Sequence, residues 1–277
     1  MKPTSRIFYF CGVMYAATSA LALIATSLHI AQPQQLGLVR PVEITLENGI
    51  IFFSVFVLFT FVMIRFVRAA RASLSILLSL ALLAGAQFIF SAWLSTTESI
   101  VAAVAVVVLL RLLPLVIIHD GAIMLGIAGI AGILGLSITP LIACGLLAVL
   151  SVYDVISVYR TRHMIALAGR MVESGAIFGF LIPATLTGFF ARRDIALQSR
   201  SVMMLGSGDI GLPLILATSA VSQSTAAALM VALFSLVGVL IMQRLFARQQ
   251  ESAPMAALPP IALSAILGYL TAILLGI

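Results

Sequence analysis

Long apolar stretches follow one another along almost the whole chain, each near the ~20 residues with which a helix crosses a bilayer's hydrocarbon core. Nine can be marked: Ile7–Ile30, Gly49–Val67, Ser73–Leu94, Ile100–Ile118, Gly121–Ile138, Pro140–Tyr159, Ser201–Val221, Thr225–Leu245 and Pro259–Ile277. Lipid offers main-chain groups no partners, so each stretch must satisfy its own N–H and C=O groups. That predicts an all-α polytopic membrane protein with nine transmembrane helices. Composition agrees: 62% of the 277 residues are hydrophobic, 9% are charged, and mean hydropathy is +1.24, outside the soluble range. The net charge of +6 comes from basic residues in the links between apolar stretches, without interleaved aromatics, so it reads as topology control and not as nucleic-acid binding. The first stretch follows Lys2 and Arg6, but it is long for a signal peptide, and Leu28-His29-Ile30-Ala31 is a poor cleavage site; it reads as an uncleaved span. Cys11 and Cys144 both fall in apolar stretches, so no disulfide or metal framework is expected.

One segment tests the count. Met171 to Phe190 is apolar, but it carries Glu173, three glycines and Pro183. With this segment left out of the bilayer, all of the 15 Lys and Arg residues except Arg40 fall on one side, which the positive-inside rule assigns to the cytoplasm. Counting it as a span moves Arg192, Arg193 and Arg200 outside. The charge pattern therefore predicts an N-terminus inside and a C-terminus outside. It also predicts a single membrane domain over residues 1–277, with spans 1–5 in 1–139, spans 6–9 in 140–277 and a cytoplasmic loop over 160–200. Gly126, Gly129, Gly132 and Gly135 give the fifth span a small-residue face for close helix packing. Arg111 lies near the end of the fourth and is expected to snorkel outward.

A carboxylate inside a span costs roughly 3 kcal/mol on insertion scales and usually has a functional reason. Two such groups stand out. Asp209 ends Gly206-Ser207-Gly208-Asp209 in the seventh span, where the glycines are expected to let another backbone come close, and Asp154 ends Ser151-Val152-Tyr153-Asp154 in the sixth. Every other acidic residue is expected in a link or near a membrane surface. With nine spans, helices six and seven run in opposite directions. The aspartates then lie ~9 and ~13 Å from the cytoplasmic ends, at nearly one depth. Two carboxylates in contact in a poorly solvated site hold one shared proton. One member then acts as base toward water while the other donates to a peptide carbonyl, which needs no metal or other cofactor.

These residues, together with Pro259-Pro260-Ile261 opening the last span, resemble the presenilin and signal peptide peptidase family of GxGD intramembrane aspartyl proteases, and the archaeal members in particular. The likeness runs through Val152-Tyr153-Asp154-Val155-Ile156-Ser157-Val158-Tyr159-Arg160-Thr161-Arg162-His163-Met164 and on to Ala265-Ile266-Leu267-Gly268-Tyr269-Leu270. Two departures are visible: the family's Pro-Ala-Leu reads Pro259-Pro260-Ile261, and Ser207 stands where leucine is common. The resemblance implies an aspartic endopeptidase of the cell membrane that cuts transmembrane helical peptides or remnant signal peptides. Asp154 and Asp209 are its implied catalytic pair, with Tyr153, Gly206, Gly208, Pro259, Pro260 and Ile261 shaping the site. It also implies that the Met171–Phe190 segment either plugs the site or lies against the membrane, and is suited to strand addition by an extended substrate. A plain interfacial loop is the other reading of that segment.

Other chemistries fit less well. No His/Cys/Glu cluster is spaced for zinc, and no serine–histidine pair shares a depth. His119 and His163 read as solvated link residues at cytoplasmic boundaries. The competing function is a proton-coupled transporter using the buried aspartates. The sequence leaves open the natural substrates, which aspartate starts as base, partner subunits and a homo-oligomer.

Overall fold

In the computed structural model, residues 5–32, 67–160, 177–198, 202–248 and 255–277 are described. The second predicted span, Gly49–Val67, lies outside them except for Val67, as do His163 and residues 171–176. The helices are α1 (Ser5–Ala31), α2 (Val67–Phe90), α3 (Thr96–Leu112), α4 (Val116–Ser137) and α5 (Pro140–Val155), followed by α6 (Arg193–Gln198), α7 (Ser207–Ala220), α8 (Thr225–Arg248) and α9 (Leu258–Leu274). Among the described residues, four helical stretches are long and apolar enough to cross a membrane: Arg6–Ala31, Val116–Ser137, Pro140–Arg160 and Thr225–Arg248.

α4 is the inner post of the bundle. Of its apolar window 61% is buried, against 28% for the stretch containing α5. Its glycines do not share one face. Gly126 and Gly129 sit directly against Gly85 of α2, Gly132 lies against Phe88 of α2 and Thr26 of α1, and Gly135 packs on Thr218 of α7. α4 thus touches three helices at once: a glycine at every third residue falls short of the 3.6-residue turn and drifts about 60° around the helix at each step, so the stripe winds from one neighbour to the next. Thr218 fastens α7 to α4 by donating from Oγ1 to the Ala131 carbonyl at 2.7 Å.

The predicted boundary between spans four and five is displaced. α3 ends at Leu112, and the chain turns through Leu113, Pro114 and Leu115 before α4 begins at Val116. Pro114 has no N–H and biases its predecessor to extended geometry, and Leu113 adopts φ −116°, ψ 92°. His119 and Asp120, expected at a solvated boundary, are therefore carried into the first turns of α4 and fully enclosed, at 0% and 2% exposure. Arg111 does lie at the exposed end of its helix, but it is tied down, donating to Ser75 Oγ and Ser79 Oγ of α2 at 2.7 Å each.

The fold is not purely helical. β1 (Gly179–Pro183) and β2 (Val202–Gly206) form a two-stranded antiparallel sheet with Gly179 opposite Gly206 and Pro183 opposite Val202. β2 occupies residues expected to begin the seventh helix, which starts at Ser207 instead. The 14 residues of α7 are ~21 Å long, short of the ~30 Å core. A short apolar run suits a buried strand as well as a helix, and a pairing partner about twenty or more residues away decided between them. In the described part of the Met171–Phe190 segment, β1 is followed by a 3-10 turn over Leu186–Phe190, with no spanning helix. Thr185 starts that turn by accepting from the Gly188 N–H.

Candidate active site

Asp154 is the penultimate residue of α5 and is 7% exposed. Past it the chain continues as a π turn over Ile156–Arg160, with Ser157 and Val158 buried. Its Oδ2 accepts a hydrogen bond from the Leu258 N–H at 3.2 Å. Leu258 is the first residue of α9, and Pro259 and Pro260 follow it. First-turn N–H groups lack partners within a helix, and they sit at the positive end of its dipole. Proline contributes none, so the one donor ahead of the proline pair is spent on a carboxylate. The proline motif thereby reaches Asp154 through the main chain, and Ile261 is fully buried behind it. Gly238 of α8 lets α9 seat here: a Cβ on it would stand 2.7 Å from Ile261 Cα and 2.9 Å from the Pro260 carbonyl oxygen.

Asp209 is the third residue of α7, which begins where β2 ends. Gly206 caps the helix in extended geometry (φ −62°, ψ 143°), and the Ser207 N–H donates to the Phe178 carbonyl at 3.2 Å, joining the helix start to the sheet. An acidic residue in a first helical turn suits the free N–H groups there. Asp209 is half-buried and lies within electrostatic range of Asp154. The helix ends bearing the two aspartates thus come near each other, with Asp209 in the first turn of its helix and not nine residues along it.

The two glycines of the motif play different parts. A Cβ on Gly206 would lie 3.1 Å from Asp209 Oδ2, tight enough to displace the carboxylate. Gly208 has nothing within 4 Å of that position, so no backbone closes on it. It faces a cavity of about 240 Å³ lined by Leu82, Ile127, Phe178, Ser207, Gly211 and Ile215 among others, nearly all apolar. The expected close approach at Gly208 is absent because that side of the turn is open space. Tyr153 precedes Asp154, but its side chain is turned away from the buried carboxylate. One residue turns a helix by about 100°, so its ring faces outward, 52% exposed, with no hydrogen bond recorded for it among the described residues.

Two residues near the site were missed in the sequence. Asp120 Oδ1 accepts from the Leu181 N–H of β1 at 2.8 Å, while its Oδ2 is buried without a partner among the described residues. His119 Nε2 meets the Gly179 carbonyl at 3.0 Å, and its Nδ1 meets Arg193 Nη1 at 3.4 Å. A guanidinium only donates, so Nδ1 is the acceptor and Nε2 carries the proton given to Gly179. The available signal was Pro114, which moves both residues inside the helix. Among the described residues no group of three or more His, Cys, Asp or Glu is placed to hold a metal.

Comparison with known proteins bears on this arrangement. Residues 11–277 match the family model described as signal-peptide peptidase, presenilin aspartyl protease. A solved presenilin family intramembrane aspartate protease in space group C222 is 27% identical, with a TM-score of 0.67 over 97% of this chain and 99% of its own. A structure in space group P2, again of a presenilin family intramembrane aspartate protease, is 29% identical, with a TM-score of 0.65 over 95% and 96%. A search of curated proteins finds no match. The transporter reading has no support in these findings. With the family model covering nearly every residue, the chain belongs to the signal-peptide peptidase and presenilin family of aspartyl proteases.

Proposed function

We propose that the protein is an intramembrane aspartyl endopeptidase in which Asp154 and Asp209 form the catalytic pair. The observation that carries the reading is the junction itself: a buried carboxylate ending α5, a second one opening α7 within electrostatic range, and an apolar cavity beside the second. A substrate helix enters laterally and rests against the cavity wall formed by α2, α4 and α7. Its main-chain hydrogen bonds open near the aspartates, because a closed helix shields its carbonyls from attack. The opened segment adds to the outer edge of β2, where main-chain hydrogen bonds hold it extended.

The pair shares one proton. The ionised member takes a proton from water, the water oxygen attacks the peptide carbon, and the protonated member donates to the carbonyl oxygen. Collapse of the tetrahedral intermediate breaks the C–N bond and returns a proton to the leaving amine. The Leu258 N–H holds Asp154 in orientation throughout. The substrates are single-span helical peptides or remnant signal peptides. The site opens toward the cytoplasm in a nine-span, N-inside, C-outside arrangement with Met171–Phe190 outside the hydrocarbon core.

The test is cleavage of a transmembrane peptide by the purified full-length protein in liposomes. Asp154→Asn and Asp209→Asn, made separately, each abolish product while the protein remains folded by size-exclusion chromatography. Two variants that cut as well as wild type sink the reading.

A further inference from the structure

Resting on that reading of the dyad, we propose that His119 and Asp120 are positioning residues: they close the outer edge of β1 and thereby set which peptide bond of a bound substrate faces the carboxylates.

The register carries the argument. In an antiparallel pair, alternate residues point their main-chain groups at the partner strand and away from it. Ser207 N–H bonds to the Phe178 carbonyl, in line with the pairing of Phe180 to Leu205 and Ile182 to Met203. Gly179 and Leu181 therefore turn their N–H and C=O groups to the outside of the hairpin. There they meet α4. His119 donates to the Gly179 carbonyl and Asp120 accepts from the Leu181 N–H, across 60 and 61 residues of sequence. One donor and one acceptor, placed on strand residues two apart, are what a third strand would offer. Two neighbouring side chains of a helix stand in its place.

Two consequences follow. The edge of β1 is closed to any added strand, whereas Val202 and Met204 of β2 have outward main-chain groups without partners among the described residues, and Met204 is 39% exposed. An extended substrate thus has one edge open to it. The height of β1 is also pinned to α4 at two points. β1 fixes β2 by register, β2 ends at Gly206, and Asp209 follows within the first turn of α7. A shift of β1 along α4 is transmitted to the edge that binds substrate and to the carboxylate that acts on it. Arg193 completes the device: its side chain sets the His119 tautomer and its N–H donates to the Pro114 carbonyl at 2.7 Å, so α6 closes over the same turn.

The test is mass spectrometry of products, with kcat and KM, from full-length protein in liposomes acting on one transmembrane peptide. His119→Ala and Asp120→Ala are expected to lower kcat about tenfold or more, as a misplaced reacting geometry does, and to displace the main cut by one or two residues. Asp120→Asn, whose side-chain oxygen still accepts from Leu181, restores the wild-type cut position. Wild-type product masses from His119→Ala, or displaced ones from Asp120→Asn, overturn the proposal. If Asp120→Ala does not fold, those two variants decide alone. A wild-type protein that makes no product, or an Asp209→Asn that still cuts, overturns the dyad reading itself and is told apart from a failure here.

Discussion

Gly206 and Gly208 flank one residue and answer different demands, which substitution separates. Gly206→Ala puts a methyl group 3.1 Å from Asp209 Oδ2 at a helix cap, where alanine costs about 1 kcal/mol against glycine or less. Its expected effect is a small drop in Tm with a loss of roughly 10- to 100-fold in kcat, because the carboxylate must move. Gly208→Phe points into open space, so Tm holds, but the ring fills the cavity and KM for a transmembrane peptide rises several-fold. A Gly208→Phe variant with wild-type KM would show that substrate does not use that cavity. At this scale the two aspartates were legible from their cost in an apolar segment alone. His119 and Asp120 were not: a polar pair beside a link looks solvated until Pro114 is recognised as the true helix break.

At the scale of elements, the start of α9 is held from two directions, by Asp154 in front and by Gly238 of α8 behind. Gly238→Val drives methyl groups into Ile261 Cα and the Pro260 carbonyl, both backbone, so the helices must separate. Overpacking of this kind costs about 2 kcal/mol, and we expect a lower Tm together with lost cleavage as the Leu258 N–H leaves Asp154. A Gly238→Val protein with a lower Tm but full activity would mean that α9 does not position Asp154. Helix existence was readable throughout the described spans, because hydropathy and length act locally. Helix ends were less so. α3, α4 and α7 each begin or end some residues from the expected place, at Pro114 and Gly206, where one residue's backbone chemistry outweighs the hydropathy of its neighbours. The hairpin was expected only as a segment able to pair with a substrate strand; its pairing with residues 202–206 involves groups distant in sequence.

For the whole molecule, the charge distribution predicts orientation, with the basic residues of the links on the cytoplasmic side. Green fluorescent protein fused at the N-terminus is expected to fluoresce in cells, and alkaline phosphatase fused at the C-terminus to be active. An active phosphatase at the N-terminus would reverse the assignment and the predicted side of water entry with it. The sequence by itself determined the membrane class, most helical segments and the family, and it singled out the two aspartates that we propose as the catalytic pair. Each of these depends on transfer cost, hydropathy or a short motif, all of them properties of contiguous residues. Tertiary structure decided the rest: that Asp209 lies at a strand-to-helix joint, that the proline motif reaches Asp154 through the Leu258 N–H, and that α4 seals the edge of β1. Those depend on hydrogen bonds to main-chain groups between segments from some 20 to 100 residues apart, for which hydropathy carries no signal.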